Sequence, residues 1–190
     1  VAADQDFGGC LEIQKTSSTT RVRYMGETPI LPGCYLRVTA RVKAIAGALP
    51  SVRIALYAGA AGGGAASGVT LNASSTTLTS YGDIVEVSAI VGTGSRTGVD
   101  LVWDTASYGH FGIDLTGSNG GVIRLDDLII EDITSAFQRD IMSVVDVRDY
   151  GAIGDGAIDD SAAFAAADAA ANGRRILVSD GIFFLGEDVS

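Results

Sequence analysis

A strand, a tight loop and a helix follow one another directly near residue 150, and this segment constrains the fold more than any other. Residues 144–147 read as a short apolar strand, and a loop rich in Gly and Asp follows over residues 151–156. Glycine adopts the positive φ angles of tight turns without steric cost. Asp159 and Asp160 then open a predicted helix of small residues over 161–171, because aspartate caps helix N-termini and is stabilised by the helix dipole.

Gly173 follows this helix at the position of a C-cap glycine, and the next residues have the composition of another strand. Residues 143–185 resemble the N-terminal cap and first coil of the pectate-lyase superfamily of right-handed β-helices, in which a DYGAxGDGxxDDTxAxxxAxxAA segment leads into the solenoid. The resemblance implies that Asp155, Asp159 and Asp160 are structural, since the family's catalytic carboxylates lie on later coils. The glycine loop also lacks the Lys and the following Ser or Thr of a phosphate-binding loop.

Little of such a solenoid is present in the sequence. A β-helix coil cannot bury its apolar face alone, so several stacked coils are needed for stability. The chain contains about one strand–turn–strand unit, over residues 176–185, and begins with Val1 rather than Met. We therefore expect the sequence to be part of a longer protein.

Apolar residues near the end of the chain predict association between copies. Residues 183–185, with the sequence Phe-Phe-Leu, form a run that one coil cannot bury on both sides. This favours a homotrimer about the β-helix axis. Residues 135–142 lack strand alternation and are predicted to be a linker, in which Phe137, Ile141 and Met142 either pack between the two domains or lie near the trimer interface.

Residues 1–134 are predicted to form one all-β domain. Apolar residues alternate with polar ones, and turns rich in Gly separate the alternating segments. Alternation with one apolar face indicates antiparallel strands that pack as a sandwich. The apolar positions are 36, 38, 40 and 42; 52, 54 and 56; 85, 87, 89 and 91; and 111, 113 and 115.

Two strands of this domain resemble those of jelly-roll carbohydrate-binding modules. Residues 31–44 resemble a LxPGxxYxxxxxVKA pattern with a shorter turn before Tyr35, and residues 121–131 resemble the closing xxxxxDDvxle strand. The resemblance covers residues 7–133 and implies a jelly-roll β-sandwich that binds carbohydrate. The predicted architecture is therefore a jelly-roll β-sandwich followed by the start of a right-handed parallel β-helix with one capping helix.

Five polar or aromatic residues are the candidates for carbohydrate contacts. Tyr57 and Tyr108 lie on the polar parity or in loops, where an exposed ring can stack on a sugar. Asp104, His110 and Asp114 occupy the outward parity of two strands that we expect to be adjacent, and such groups can hydrogen-bond sugar hydroxyls. The alternative is a solvated sheet face. No Ser or Cys nucleophile accompanies His110 in a recognisable motif, so a catalytic triad is not predicted.

Trp103 and the pair Asp126–Asp127 receive structural interpretations. Trp103 shares the parity of Val99 and Leu101, which favours a place in the core over a sugar-stacking role. Adjacent carboxylates on one strand point to opposite faces and cannot flank one glycosidic bond. In the modules that the domain resembles, the first Asp of this pair often helps to hold a structural calcium ion, which implies a metal-ligating role for Asp126. No other cofactor is predicted.

Cys10 and Cys34 each precede an apolar strand, and two interpretations stay open. They form a disulfide between neighbouring strands if the protein is secreted, or they are two thiols if it is assembled in a reducing compartment. Neither has a His or Cys nearby at metal-ligand spacing, so zinc is not expected.

The charge balance restricts the classes of partner. With 13 basic and 23 acidic residues, the formal net charge is −10, whereas nucleic-acid recognition requires clustered Lys and Arg. An acidic chain is equally unsuited to an anionic membrane surface. No uninterrupted apolar run approaches the roughly 18 to 20 residues of a membrane span.

The function predicted from the sequence is a receptor-binding spike or fibre of a phage or phage-like gene-transfer particle. It would lie on the particle surface, contact other particle proteins and attach to a cell-surface polysaccharide. One alternative is the non-catalytic front part of a secreted polysaccharide lyase or hydrolase. Another is a structural adaptor that anchors a β-helix to an assembly. No catalytic constellation is found in the sequence.

Overall fold

The chain folds into two compact units, residues 1–134 and 135–190. The structure is a computed structural model that describes residues 4–92, 98–103, 105–137 and 143–186. Ile141 and Met142, which were expected near an interface, lie outside the described residues, whereas Phe137 is buried. No helix among the described residues is long and apolar enough to cross a membrane.

Ten strands build the described part of the first unit. They form two five-stranded sheets, one in the order β1-β10-β4-β7-β8 and the other containing β2-β9-β5-β6 with β3 paired to β9. The strands are β1 (Leu11–Gln14), β2 (Thr20–Arg23), β3 (Thr28–Pro29), β4 (Tyr35–Ala46), β5 (Ser51–Gly59), β6 (Thr76–Thr77), β7 (Val85–Gly92), β8 (Leu101–Val102), β9 (Tyr108–Thr116) and β10 (Val122–Asp132).

The strand pairing is that of a rolled-up hairpin. β1 pairs with β10 and β2 with β9, while β4 pairs with β7 and β5 with β6, and each of these pairs is antiparallel. Nested pairs that alternate between two sheets define a jelly roll. The predicted jelly-roll β-sandwich is therefore confirmed, with one parallel pair, β7–β8, at an edge.

The core lies between the two sheets and consists of the alternating apolar residues. Val38 and Val42 of β4 are fully buried, as are Phe111, Ile113 and Leu115 of β9. The buried side chains of one parity face the opposite sheet, because successive residues of a strand point to opposite faces. The prediction for Trp103 is likewise confirmed, since this side chain is 1% exposed and its ring lies 6.5 Å from that of Phe111.

A bulge interrupts the closing strand at the acidic pair. The register of β10 against β4 shifts between Asp126 and Ile129, and Asp127 has a φ angle of 51°. The Asp127 carboxylate pairs with Arg41 at 2.7 Å. Simple alternation thus fails at this position, since a bulge inserts an unpaired residue and redirects its neighbours.

The described residues of the second unit include two parallel strand pairs and the helix that follows β12. β11 (Val144–Asp146) pairs with β13 (Arg175–Leu177), and β12 (Asp155–Asp159) pairs with β14 (Ile182–Phe184). A 3-10 turn over Val147–Tyr150 follows β11, and the helix α1 spans Ser161–Ala171. The strand β12 corrects the sequence interpretation, which had only a loop before the helix. The packed faces of these elements form a small core of mostly alanine and valine, listed as Val145, Val147, Ala152, Ala163, Ala167 and Ala171.

The two predicted capping aspartates have different roles. Asp159 accepts hydrogen bonds from the backbone N–H and the hydroxyl of Ser161, and these bonds lower the pKa of its carboxyl. Asp160 occupies the N-cap position, but its carboxylate makes no cap bond and instead accepts the N–H groups of Ile153 and Gly154. Both aspartates are therefore structural, and Asp160 joins the glycine loop to the helix.

Candidate functional site

The outer face of the second sheet carries the polar residues that the sequence singled out. β9 lies between β2 and β5, so that its outward residues Gly112 and Asp114 have a paired neighbour on either side. Asp114 is opposite Arg21 and Arg53 in this register. His110 is opposite Tyr57. Directly opposed residues share one face of the sheet and are close enough for their side chains to touch.

Three rings form a cluster at one end of this face. The rings of Tyr57 and His110 stack at a centroid distance of 5.7 Å, and Tyr108 meets His110 edge-on at 5.6 Å. Tyr57 is 39% exposed, so one part of its ring surface is open to a ligand. The Tyr108 ring lies over Gly59, where an added Cβ would be only 2.0 Å from its Cζ atom.

His110 keeps one hydrogen-bonding atom without a partner. Its Nδ1 atom is buried and makes no hydrogen bond to any described residue. Buried polar atoms are almost always paired in folded proteins, and exceptions often mark functional positions.

An ion-pair network lies at the other end of the face. The Asp114 side chain is 2% exposed, and its two oxygens accept hydrogen bonds from Arg23 at 2.7 Å and from Arg53 at 3.3 Å. Asp114 lies on the outward face, as its parity predicts, but its carboxylate is buried rather than open to solvent. Two guanidinium groups cover the carboxylate because strand register brings them to it from both sides.

Small residues leave space between the rings and the ion pairs. Gly112 of β9 is opposite Arg23 and Ala55. A Cβ atom added to Gly112 would lie 2.0 Å from the carbonyl oxygen of Val22, so no larger residue fits. Without a side chain there, Arg23 reaches across β9 and also donates to the carbonyl of Ile113 at 2.8 Å.

A depression of about 240 Å³ results on this face. The segment around Asn72 borders it, because Leu71 accepts the N–H of Leu56 and Ala73 donates to Ile54 along the free edge of β5. We call this depression and the adjoining rings of His110 and Tyr108 the cross-strand groove. Its lining residues are Arg21, Arg23, Leu56, Tyr57, Leu71 and Asn72.

The structure brings together four of the five predicted carbohydrate contacts. Tyr57, Tyr108, His110 and Asp114 share one face, while Asp104 lies outside the described residues. The arginines of β2 and β5 and Asn72 were missed by the sequence interpretation. The alternation in Thr-Arg-Val-Arg and Val-Arg-Ile could have predicted that these arginines face outward. Asn72 lies in an irregular segment, where no such pattern exists.

Asp126 lines a second depression of about 330 Å³, which is mainly apolar and shares Arg23 with the first. Its neighbour Asp127 also lines this depression but is paired with Arg41. Within the described ranges, no group of three or more His, Cys, Asp or Glu side chains is placed to hold a metal ion. The metal-ligating role of Asp126 stays a prediction. Cys10 and Cys34 are both thiols in the structure.

Comparisons with known proteins give matches among solved structures only. No protein-family model matches the chain, and no curated protein matches it. The xylan-binding module of family 22 from Paenibacillus barcinonensis is 12% identical, with a TM-score of 0.41, over 55% of this chain and 58% of the module. This chain thus spans less than two thirds of that module.

Two further structures are similar at comparable levels. A carbohydrate-binding module of family 4 is 18% identical, with a TM-score of 0.39, over 65% of this chain and 82% of the module. The enzymatically active domain of tailspike protein 4 from bacteriophage CBA120 is 15% identical, with a TM-score of 0.39. That match covers 70% of this chain and 17% of the tailspike domain.

Proposed function

We propose that the first unit binds a polysaccharide in the cross-strand groove. The observation that carries this proposal is the stacking of Tyr57 on His110 beside the Arg23–Asp114–Arg53 network. A sugar ring presents an apolar C–H face and an edge of hydroxyl groups. An aromatic side chain offers a rigid apolar surface, and charge-assisted donors hydrogen-bond oxygen atoms, so that one groove serves both parts of a sugar.

The groove is prepared before a ligand arrives. The Tyr57 ring is held against His110, and Arg23 is fixed by Asp114 and by the backbone of β9. Side chains that are already ordered lose less conformational entropy on binding. The groove is nevertheless small, and each copy is expected to bind weakly, so that useful affinity comes from several copies acting together.

A comparison of valency tests this proposal. Intact capsulated cells and cells stripped of capsule are each incubated with the isolated first unit and with a multivalent display of it. We expect the display to bind capsulated cells strongly and stripped cells weakly, and the single unit to bind barely. Equal binding of the display to both cell types would contradict polysaccharide recognition and favour the structural adaptor.

We also propose that the second unit is the beginning of a right-handed parallel β-helix. Its two parallel pairs, β11–β13 and β12–β14, support this, because solenoid coils stack by parallel pairing of corresponding strands in neighbouring coils. Ile182, Phe184 and Leu185 are between 43% and 74% exposed, which leaves apolar surface for a further coil or another copy. Phe183, in contrast, packs its ring 5.4 Å from Phe164 within the unit.

The biological role that we propose is a trimeric spike or fibre of a phage or phage-like particle, which attaches the particle to cell-surface polysaccharide. The apolar surface on β14 favours this role over a monomeric module of a secreted enzyme. Light scattering of the full-length protein at micromolar concentration tests it. A trimer supports the spike, whereas a monomer that still binds polysaccharide would support the secreted-enzyme alternative.

A further inference from the structure

The cross-strand groove has a positive charge that the rest of the chain does not lead one to expect. The formal net charge of the whole sequence is −10. On this face, however, Arg21, Arg23 and Arg53 surround one carboxylate, that of Asp114. The residues that line the depression include two arginines and no acidic residue.

The single carboxylate is fully occupied. Asp114 is 1% exposed, and each of its oxygens already has a guanidinium partner, Arg23 on one side and Arg53 on the other. One negative charge between two positive charges leaves one positive charge uncompensated. This network therefore holds the groove positive even before the third arginine is counted.

Arg21 is the third arginine, and its guanidinium is available. It is opposite Asp114 in the register of β2 against β9, it is exposed, and it lines the depression. Its guanidinium makes no hydrogen bond or ion pair with any residue in the described part of the chain. A planar guanidinium has donors in a fork that matches the two oxygens of a carboxylate, and it stays charged at every physiological pH.

We propose that the groove selects polysaccharides that carry carboxylate groups, such as uronic acid polymers, and that Arg21 binds the carboxylate. This inference rests on the proposed function and adds the class of sugar to it. Tyr57 packs against the sugar ring, and Arg21 receives the carboxylate at the opposite side of the depression. A neutral sugar leaves Arg21 without a partner. A nucleic acid would extend beyond the groove, where the net negative charge of the chain repels its phosphates.

The test uses matched polymers that differ only in charge. Polygalacturonate, alginate and hyaluronan are each prepared in native form and after reduction of their carboxyl groups to alcohols. Binding of the whole chain is measured by affinity electrophoresis and by calorimetry at low and at 0.5 M salt. We expect at least one native polymer to bind, its reduced form to bind about tenfold more weakly, and high salt to weaken the native form alone.

Variants assign the effect to the residue. Arg21→Gln is expected to lose about tenfold in affinity for the native polymer and to bind the reduced polymer like the unmodified chain, whereas Arg21→Lys keeps part of the affinity. Arg37→Gln is the matched control, because Arg37 is a 48% exposed arginine of the other sheet. Circular dichroism of each variant verifies that the fold is retained.

The outcomes separate the two proposals. Equal binding of native and reduced polymers, or an Arg21→Gln variant with unchanged affinity, overturns the selection of carboxylates and leaves polysaccharide binding standing. Equal affinity for dextran sulfate or for a single-stranded oligonucleotide shows general polyanion binding and overturns it as well. Failure to bind every polymer in both forms contradicts the proposed function itself.

Discussion

The imidazole of His110 lies against the phenol ring of Tyr57 on the neighbouring strand, with centroids 5.7 Å apart and planes inclined by 28°. The two residues are directly opposed in the register of β5 and β9. Phe111, the next residue along β9, is fully buried in the core and fixes the backbone from the other side. The position of the exposed Tyr57 ring is thus set by the packing of the sandwich rather than by a flexible loop.

Replacing Tyr57 by Ala removes the open ring surface of the groove. We expect polysaccharide affinity to fall about tenfold, since an aromatic stacking contact contributes about 0.5 to 1.5 kcal/mol beyond its buried area. Tyr150→Ala is the matched control, because Tyr150 is 40% exposed in the second unit. Calorimetry on both variants provides the measurement, and similar losses in the two would speak against the groove.

Replacing Asp114 by Asn tests the buried ion pairs. The change leaves Arg23 and Arg53 facing each other without the carboxylate between them, and we expect the free energy of unfolding to fall by about 3 kcal/mol. Asp127→Asn provides the control, because the Asp127 carboxylate is 45% exposed beside Arg41 and its loss should cost less than about 1 kcal/mol. Urea unfolding measures both, and equal costs would contradict the network described here.

Acid should remove a contribution of Asp4 to stability. Lys43 and Arg124 each approach its carboxylate at 2.8 Å, and hydrogen bonds from both hold its pKa well below the ordinary value of 3.8. A carboxyl group whose pKa is lower in the folded state than in the unfolded chain stabilises the folded protein at pH values above its ordinary pKa. This stabilisation is lost as the pH falls from the ordinary pKa toward the lower pKa of the folded state.

We therefore expect the wild-type chain to be more stable than an Asp4→Asn variant at pH 7, and this difference to shrink at a pH below 3.8. Asp83→Asn removes an exposed carboxylate and serves as the control. Urea unfolding of the three chains between pH 7 and a pH below 3.8 measures these differences in the free energy of unfolding. A difference between wild type and Asp4→Asn that stays constant with pH would show that the ion pairs do not act as described.

Arg148 connects separate parts of the second unit. Its guanidinium donates to the Ser179 hydroxyl and to the carbonyls of Ile153 and Asp180, and it lies over the ring of Phe183. A lysine cannot form these contacts together, because its ammonium is a point charge without the planar fork.

We therefore expect Arg148→Lys to lower the free energy of opening the second unit by about 2 to 3 kcal/mol. Hydrogen exchange over residues 153–154 and 179–183 should become faster. Arg175→Lys is the control, since Arg175 is exposed. Exchange rates that respond equally to both variants would exclude the proposed role of Arg148.

Alternation alone predicted most of the sandwich, and the reason is physical. Val38 and Val42 face the core because a strand has a period of two and only one face of each sheet is buried. The same rule placed Trp103 in the core. It failed at Asp127, because an inserted residue in a bulge changes the parity and is not visible as a pattern of polarity.

The candidate site could be predicted only in part. Parity placed Tyr57, His110 and Asp114 on one face, but it carried no information on which residues of other strands stand beside them. The burial of Asp114 depends on the register of β9 against β2 and β5, which brings Arg23 and Arg53 within reach. Register is a property of tertiary packing, and a single strand does not encode it.

Nuclear magnetic resonance of the one histidine tests the central proposal most directly. The sequence contains a single His and a single Trp, so the ring signals of His110 and Trp103 identify themselves without further assignment. The His110 ring is part of the cross-strand groove, and Trp103 lies in the core. Polysaccharide added to the labelled chain should shift the His110 ring signals and leave the Trp103 signals nearly unchanged. The dissociation constant from the His110 shifts should agree with the one from calorimetry. Saturable binding of polysaccharide with an unshifted His110 would place the binding site elsewhere and contradict this account.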